Sequence, residues 1–171
     1  MHGSPINSAG NGVPADDGSA DFFVPAVVAL GANLGERERT LRAALGELER
    51  RGFRVRARSS FRETKPVGFV NQPDFINAAA LVSVPAHVSA ENFLRELLDI
   101  EKMFGRERPF PNAPRTLDLD LIFFGGMHCA LPQLTLPHPR WREREFVITP
   151  LREIASALPA DIRRELDGLG A

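Results

Sequence analysis

Several features that would identify a protein class are absent from this sequence of 171 residues. Its single cysteine, Cys129, excludes an intramolecular disulfide and fits a reducing compartment. No apolar run approaches the roughly 18 residues of a membrane-spanning helix, and the N-terminus lacks the basic and apolar regions of a secretory signal. A net charge of −1 gives no sign of bulk attraction to nucleic acid. We therefore expect a cytoplasmic protein with neither a membrane nor a nucleic-acid partner.

Familiar catalytic motifs are also missing. The chain has no P-loop, no G-x-G-x-x-G and no kinase signature, so phosphate binding would not use a glycine-rich cradle. No cysteine and histidine residues have zinc-site spacing, and there is no G-x-S-x-G elbow. What remains is an ordinary globular composition, 43% apolar and 25% charged.

The first part of the chain differs from the rest. Residues 1–21 are rich in small and polar side chains and contain almost no large apolar ones, so they are expected to form a disordered arm. We expect residues 22–171 to form a single domain, since that length supports one hydrophobic core.

Hydrophobic periodicity predicts the order strand, helix, strand, strand, helix, strand. Asn33 is predicted to cap the first helix and Ser89 the second, and residues 63–73 are predicted to be a loop. This order predicts an α+β fold, a ferredoxin-like βαββαβ sandwich with two helices on one face of an antiparallel sheet. A short extra strand at 131–138 and a C-terminal helix from Pro150 are expected to follow.

The most informative segment reads Arg-Thr-Leu-Asp-Leu-Asp-Leu-Ile-Phe-Phe, residues 115–124. It has the apolar pattern of a buried strand, but Asp118 and Asp120 interrupt it. Side chains alternate along a strand, so both carboxylates face the same side with backbones roughly 7 Å apart. Oxygen ligands suit magnesium, which completes its coordination with water and phosphate oxygens. The alternative is a partly exposed strand whose carboxylates pair with basic side chains.

The carboxylate pair suggests magnesium-assisted phosphoryl chemistry, and three further groups of residues bear on the site. Arg106, Arg108 and Arg115 flank one predicted loop, and arginine binds phosphate through two parallel hydrogen bonds. His138 precedes a run of arginines; a contact with phosphate or ribose and a packing role both remain open. Phe75 and Asn77 share a strand face, where they could stack on a flat heterocycle and hydrogen-bond it or only fix the preceding loop.

Together these residues resemble the 6-hydroxymethyl-7,8-dihydropterin pyrophosphokinase family of folate biosynthesis. The resemblance extends from about Val27 to about Ala157. It rests on four blocks in family order: Ala29–Gly35, Glu63–Gly68 with Gln72–Asn77, Gly105–Arg106 through Pro114–Asp120, and Leu136–Arg140 with Glu143–Arg144. The chain departs from the family at Ala32, where serine is usual, and at Ala113, where glycine is usual and leaves the backbone freer.

The resemblance implies transfer of the β,γ-diphosphate of ATP to the pterin hydroxymethyl group, with release of AMP. It implies two Mg²⁺ ions held by Asp118 and Asp120, and a monomeric enzyme. The expected catalytic residues are Arg106, Arg115, Asp118 and Asp120. The expected pterin contacts are Thr64, Val67, Phe75, Asn77 and Phe146. The expected ATP contacts are Glu101, Arg108, Leu121, Thr135, His138 and Arg144.

Three other functions are compatible with parts of the sequence. A ferredoxin-like sheet with exposed aromatic side chains can bind single-stranded RNA, although the near-neutral charge argues against it. An inactive relative used as a binding scaffold is disfavoured by the intact carboxylates and arginines. A pyrophosphokinase acting on a related pterin remains open.

Overall fold

An antiparallel sheet organises the computed structural model, which describes residues 22–105 and 116–170. The predicted disordered arm at 1–21 lies outside the described residues. The elements in chain order are β1 (Phe23–Ala32), α1 (Arg37–Arg50), β2 (Arg54–Arg58), β3 (Arg62–Thr64), β4 (Phe75–Pro85), α2 (Ala90–Met103), β5 (Asp118–Phe124), β6 (Cys129–Leu131), β7 (Leu134–Leu136), a 3-10 turn (Trp141–Glu143), α3 (Glu145–Glu153), a second 3-10 turn (Ala155–Ala157) and α4 (Ala160–Asp167).

The strands of the main sheet lie in the order β2-β4-β1-β5, and β3 also pairs with β4. Each of these pairings is antiparallel. The α+β class with an antiparallel sheet is therefore confirmed. Within residues 22–105 and 116–170, no helix combines the length and apolar character needed to cross a bilayer.

Both faces of the sheet are buried, because side chains of β1 alternate between two hydrophobic clusters. Val28 and Leu30 pack with Leu41 of α1 and Leu97 of α2 on one face. The opposite face, which includes Val27, is covered by side chains of the C-terminal region: Trp141, Val147, Ile148, Leu151, Ile154, Leu158, Ile162 and Leu166. The sheet therefore lies between two helical layers, whereas the sequence analysis placed helices on one face.

The C-terminal helix does not begin at Pro150, and that prediction was wrong. α3 begins at Glu145, and Pro150 lies inside it. Proline is common in the first turn of a helix because its missing N–H is not needed there, but burial of Val147, Ile148 and Leu151 against the sheet fixes the helix further upstream. A further helix, α4, follows.

The expected single strand at 131–138 is a hairpin formed by β6 and β7. The predicted loop at 63–73 begins with the end of a strand, because Glu63 and Thr64 belong to β3 and pair with β4. β3, β6 and β7 each contain only three residues, too few for a period-two pattern to stand out from its surroundings.

Ser89 caps α2 as predicted, since its hydroxyl accepts a hydrogen bond of 3.1 Å from the Asn92 backbone N–H. Asn33 does not cap α1, and that prediction was wrong. Its buried side chain donates instead to Gln72 Oε1 at 2.7 Å and to the Pro73 carbonyl at 3.0 Å. Asn33 thus ties the end of β1 to the segment that precedes β4.

Two glycines near the end of α1 provide a matched test of the local backbone. Gly46 is an exposed helical residue with nothing within 4 Å of an added Cβ, whereas Gly52 has φ +89°. We expect Gly46→Ala to raise the free energy of unfolding by about 0.5–1 kcal/mol. Gly52→Ala should lower it by about 1–2 kcal/mol, since a side chain is disfavoured in the left-handed region. Urea unfolding of both variants measures the difference, and equal shifts of one sign would contradict this account.

Candidate active site

The candidate site forms where the end of β1 meets the beginnings of β4 and β5. Gly31 lies opposite Asn77 on one side and Asp118 on the other. Two residues earlier, Ala29 lies opposite Ala79 and Asp120 in the same way. Directly opposed residues of antiparallel strands project to the same face. The sheet register therefore brings an amide and two carboxylates onto one face, separated by the small residues of β1.

A cavity of about 500 Å³ opens over this part of the sheet. It is lined by Ala29, Leu30, Gly31, Thr64, Lys65, Val67, Phe75, Asn77, Asp118, Asp120, His138, Arg140, Glu143, Arg144 and Phe146. Its size is in the range of small-molecule sites, and its lining combines two phenylalanine rings with a majority of polar and charged side chains.

Asp118 and Asp120 line one side of the cavity and are both half-buried. Arg144 Nη1 lies 3.5 Å from Asp120 Oδ2, so one cation already balances part of the negative charge. No group of three or more histidine, cysteine or acidic side chains suited to a metal occurs in the described parts of the chain. A pair of carboxylates that both line a cavity fits Mg²⁺, which takes its other ligands from water and phosphate oxygens.

Two aromatic rings line the same cavity. Phe75 at the start of β4 is 8% exposed, and Phe146 near the start of α3 is half-buried. The guanidinium carbon of Arg144 lies 5.5 Å from the centre of the Phe146 ring. Because Arg144 also approaches Asp120, it lies between the aromatic part of the cavity and its acidic part.

The segment that carries Thr64 is fastened to α3 by Glu153. Its carboxylate accepts hydrogen bonds from the Ser60 backbone N–H at 2.7 Å and from the Ser60 hydroxyl at 2.9 Å. Arg62 Nη2 lies 3.3 Å from the same group. The hydrogen bond from the Ser60 backbone N–H, and after it the bond from the Ser60 hydroxyl, lower the pKa of Glu153 below its usual range. β3 and α3, which both contribute residues to the cavity lining, are therefore joined directly.

His138 presents a neutral imidazole to the cavity. Burial, reinforced by the positive charge of Arg144, lowers the pKa of its ring from 6.5 to about 4. Nδ1 accepts a hydrogen bond of 3.2 Å from the Arg140 backbone N–H. A neutral ring that accepts at Nδ1 carries its proton on Nε2, so His138 can act as an uncharged donor.

This combination of acidic, aromatic and basic groups can be compared with known proteins. A family model, 7,8-dihydro-6-hydroxymethylpterin-pyrophosphokinase (HPPK), matches residues 27–156. The matched segment contains every residue that lines the cavity. The chain belongs to this family.

Individual pyrophosphokinase relatives agree with the family assignment. The chain is 43% identical over 131 residues to the 2-amino-4-hydroxy-6-hydroxymethyldihydropteridine pyrophosphokinase of Synechocystis sp., covering 76% of this chain and 66% of that protein. It is 40% identical over 137 residues to the Haemophilus influenzae protein of the same name, covering 80% and 84%. It is 38% identical over 131 residues to folic acid synthesis protein fol1 of Pneumocystis carinii, covering 77% of this chain but 17% of that protein.

Most residues predicted from the pyrophosphokinase resemblance lie together around the cavity. They are Thr64, Val67, Phe75, Asn77, Asp118, Asp120, His138, Arg144 and Phe146. Val67 is 66% exposed at the rim. Arg106, Arg108 and Arg115 lie outside the described residues, so their predicted phosphate contacts stay predictions.

Three of the predicted ATP contacts lie away from the cavity lining. Glu101 is 2% exposed, and its Oε1 accepts a hydrogen bond of 2.8 Å from the Leu119 backbone N–H. Leu121 is buried with the hydrophobic cluster beneath α1 and α2. Thr135 is exposed on β7, and its hydroxyl donates to the Leu131 carbonyl at 3.4 Å.

The structure adds residues to the cavity that the sequence analysis did not assign to the site. Gly31, Lys65 and Glu143 line it. All three fall within blocks that carried the family resemblance, but nothing in their spacing indicated which of those residues face a common space. The strand register places Gly31 in the cavity, the chain just after β3 carries Lys65, and the 3-10 turn before α3 carries Glu143.

Titration of His138 should be visible in the stability of the ligand-free protein. Between pH 6.5 and pH 4 the unfolded chain binds a proton that the folded chain resists, so the free energy of unfolding falls as the pH falls. Because the ring is only half-buried, we expect a discounted effect of about 1–2 kcal/mol. His138→Gln should lose less stability than the wild type over this range, as measured by urea unfolding at pH 7 and pH 4. Identical pH dependence in the two proteins would contradict the neutral buried ring.

Proposed function

We propose that this protein transfers the diphosphate of ATP to the hydroxymethyl group of 6-hydroxymethyl-7,8-dihydropterin. The products are AMP and the pterin diphosphate, and the reaction belongs to folate biosynthesis. The observation that carries the proposal is the shared cavity, in which Asp118 and Asp120 face the same space as Phe75, Asn77 and Phe146. Family membership over residues 27–156 supports the same reaction. We further propose that the enzyme acts as a cytoplasmic monomer.

The strand arrangement supports a ferredoxin-like core for this enzyme. Counting only the long strands, the order β2-β4-β1-β5 has the first strand between the third and fourth, with the second at the edge. This is the order that two interlocked βαβ units produce. α1 and α2 follow the first and third of these strands and pack on one face.

The aromatic part of the cavity is suited to the pterin. Phe75 and Phe146 offer two ring faces, and a flat heterocycle gains both buried area and stacking from such a pair. Asn77 supplies amide donors and an acceptor to the polar edge of the heterocycle. Thr64 and Val67 border this region and complete the proposed pterin contacts.

The acidic and basic part of the cavity is suited to magnesium and the ATP phosphates. We propose that Asp118 and Asp120 hold two Mg²⁺ ions. Bound magnesium would neutralise developing charge on the phosphate oxygens. Arg144, already 3.5 Å from Asp120, and His138 lie where they can donate to phosphate or ribose oxygens. Arg106, Arg108 and Arg115 are proposed to add further phosphate contacts.

Positioning and charge neutralisation account for the proposed catalysis. Phosphoryl-type transfer needs little covalent help from a protein once the attacking and leaving oxygens are in line. The phenylalanine pair would hold the pterin ring so that its hydroxymethyl oxygen points along the sheet toward the acidic part. Asp118 and Asp120 would fix the phosphate end, and Arg144, which lies between the two parts, would balance negative charge on the phosphates.

Formation of AMP tests the proposed function. The protein should release AMP when mixed with ATP, magnesium and 6-hydroxymethyl-7,8-dihydropterin. Omission of the pterin should stop release, which separates diphosphate transfer from ATP hydrolysis. AMP formation that does not depend on the pterin, or none at substrate saturation, would refute the proposal.

Removal of either carboxylate should abolish most turnover without unfolding the protein. We expect Asp118→Ala and Asp120→Ala each to lower kcat by roughly a hundredfold or more, because metal-bound phosphate is no longer held. Asp99→Ala on the exposed side of α2 is the control and should keep wild-type turnover. Near-wild-type kcat for either site variant at saturating magnesium would contradict the metal-binding role.

Loss of the Phe146 ring should affect one substrate more than the other. We expect Phe146→Ala to weaken pterin binding by about tenfold, because one stacking face is removed, with a smaller change in affinity for a non-hydrolysable ATP analogue. Phe22→Ala, at the opposite end of β1 and 74% exposed, should change neither. Calorimetry with each ligand measures both affinities, and a larger loss for the nucleotide would contradict the assignment.

A further inference from the structure

The Asn77 side chain is hydrogen-bonded at one end and closely packed at the other. It is 6% exposed, and its Nδ2 donates a short hydrogen bond to the Thr64 hydroxyl. Its Oδ1 lies so close to Gly31 that a Cβ added there would come within 2.8 Å of it. The amide therefore lies between a hydroxyl on β3 and the bare backbone of β1.

The orientation of this amide decides which groups it offers to a ligand. An asparagine amide rotates about a soft terminal torsion, and a half-turn exchanges its carbonyl oxygen with its NH₂ group. In the described parts of the chain, the Thr64 hydroxyl is the group that engages the Asn77 NH₂. Because a hydroxyl can donate as well as accept, this bond could form again after a half-turn, so it fixes the place and the plane of the amide rather than the choice between its two ends.

The backbone of Thr64 does not depend on its hydroxyl. Thr64 lies opposite Phe75 in the β3–β4 pairing, and β3 is also held through the contacts of Glu153 with Ser60 and Arg62. Valine has the same branched shape as threonine and is favoured in strands. The hydroxyl can therefore be removed while the strand is retained.

We propose that Thr64 is a positioning residue whose hydroxyl fixes the place and the plane of the Asn77 amide and so sets how well the cavity matches the polar edge of a heterocycle. The proposal rests on the proposed function and assigns a separate task to the Thr64 side chain. A heterocycle that presents a donor beside an acceptor matches the fixed amide. An analogue with that edge altered does not, because a polar group on one side is left without a partner.

A double-mutant cycle tests whether Thr64 acts through Asn77. The variants are Thr64→Val, Asn77→Ala and the double variant, and calorimetry measures binding of 6-hydroxymethyl-7,8-dihydropterin with magnesium and a non-hydrolysable ATP analogue present. We expect Thr64→Val to weaken pterin binding roughly three- to tenfold and to leave the affinity for the ATP analogue unchanged. In the Asn77→Ala background, Thr64→Val should cost nothing further, since the group that it orients is gone.

Two further variants separate positioning from a structural effect. Thr64→Ser keeps the hydroxyl and should bind the pterin within about twofold of the wild type, the difference from Thr64→Val being one hydrogen bond. Thr149→Val makes the same substitution on the neighbouring α3, where the hydroxyl donates to Glu145, and should leave pterin affinity unchanged. If Thr64→Val does not fold, Thr64→Ala takes its place in the cycle.

Selectivity gives an independent readout. The analogue in which the 2-amino group is replaced by a carbonyl presents a changed polar edge. We expect the wild type to prefer the pterin over this analogue, and Thr64→Val to reduce that preference severalfold.

Additive losses in the cycle, failure of serine to restore binding, or unchanged selectivity in Thr64→Val would each overturn the proposal. Measurements on the wild-type protein distinguish failure of the role proposed for Thr64 from failure of the proposed function. If the wild type neither binds the pterin nor forms AMP, both proposals are overturned. If it does both and the cycle is additive, only the role of Thr64 is overturned.

Discussion

The position of β1 between β4 and β5 is the constraint on which the site depends. Gly31 faces Asn77 across one ladder and Asp118 across the other, and Ala29 faces Asp120. Because opposed residues share a face, this single register decides that the amide and the carboxylates project into one space. A shift of one residue would turn side chains toward the helices α1 and α2. In the β1–β4 ladder the affected side chain would be Asn77, and in the β1–β5 ladder it would be both carboxylates. Burial of Val28 and Leu30 beneath those helices makes such a shift costly.

Small residues on β1 are as important as the polar groups beside them. Large side chains at Ala29 and Gly31 would fill the floor of the cavity, and at Gly31 even a methyl group would collide with the Asn77 amide. The same strand carries Val27, Val28 and Leu30 in the two hydrophobic clusters. One strand thus supplies both the apolar contacts that fix the sheet and the open floor of the site.

The parts of the structure that follow from local pattern were predictable. Period-two alternation placed Asp118 and Asp120 on one face, and Phe75 with Asn77 on another strand. The Ser89 cap was evident because a cap depends on residues within one turn. The parts fixed by distant contacts were not. Asn33 has the composition of a helix cap, but a tether to Gln72 and Pro73 competes for its side chain. The start of α3 depends on burial against the sheet, and β3 is too short to carry a pattern.

Glu153 lies well outside the cavity, yet its bonds to Ser60 and Arg62 connect the helix that begins near Phe146 to the strand that ends at Thr64. A single carboxylate therefore connects the helix that carries the Phe146 ring with the strand that carries the Thr64 hydroxyl. Movement of β3 away from α3 would have to break the hydrogen bonds and the ion pair that this carboxylate makes. The stacking side and the hydrogen-bonding side of the proposed pterin region are thus linked by contacts that lie outside the cavity.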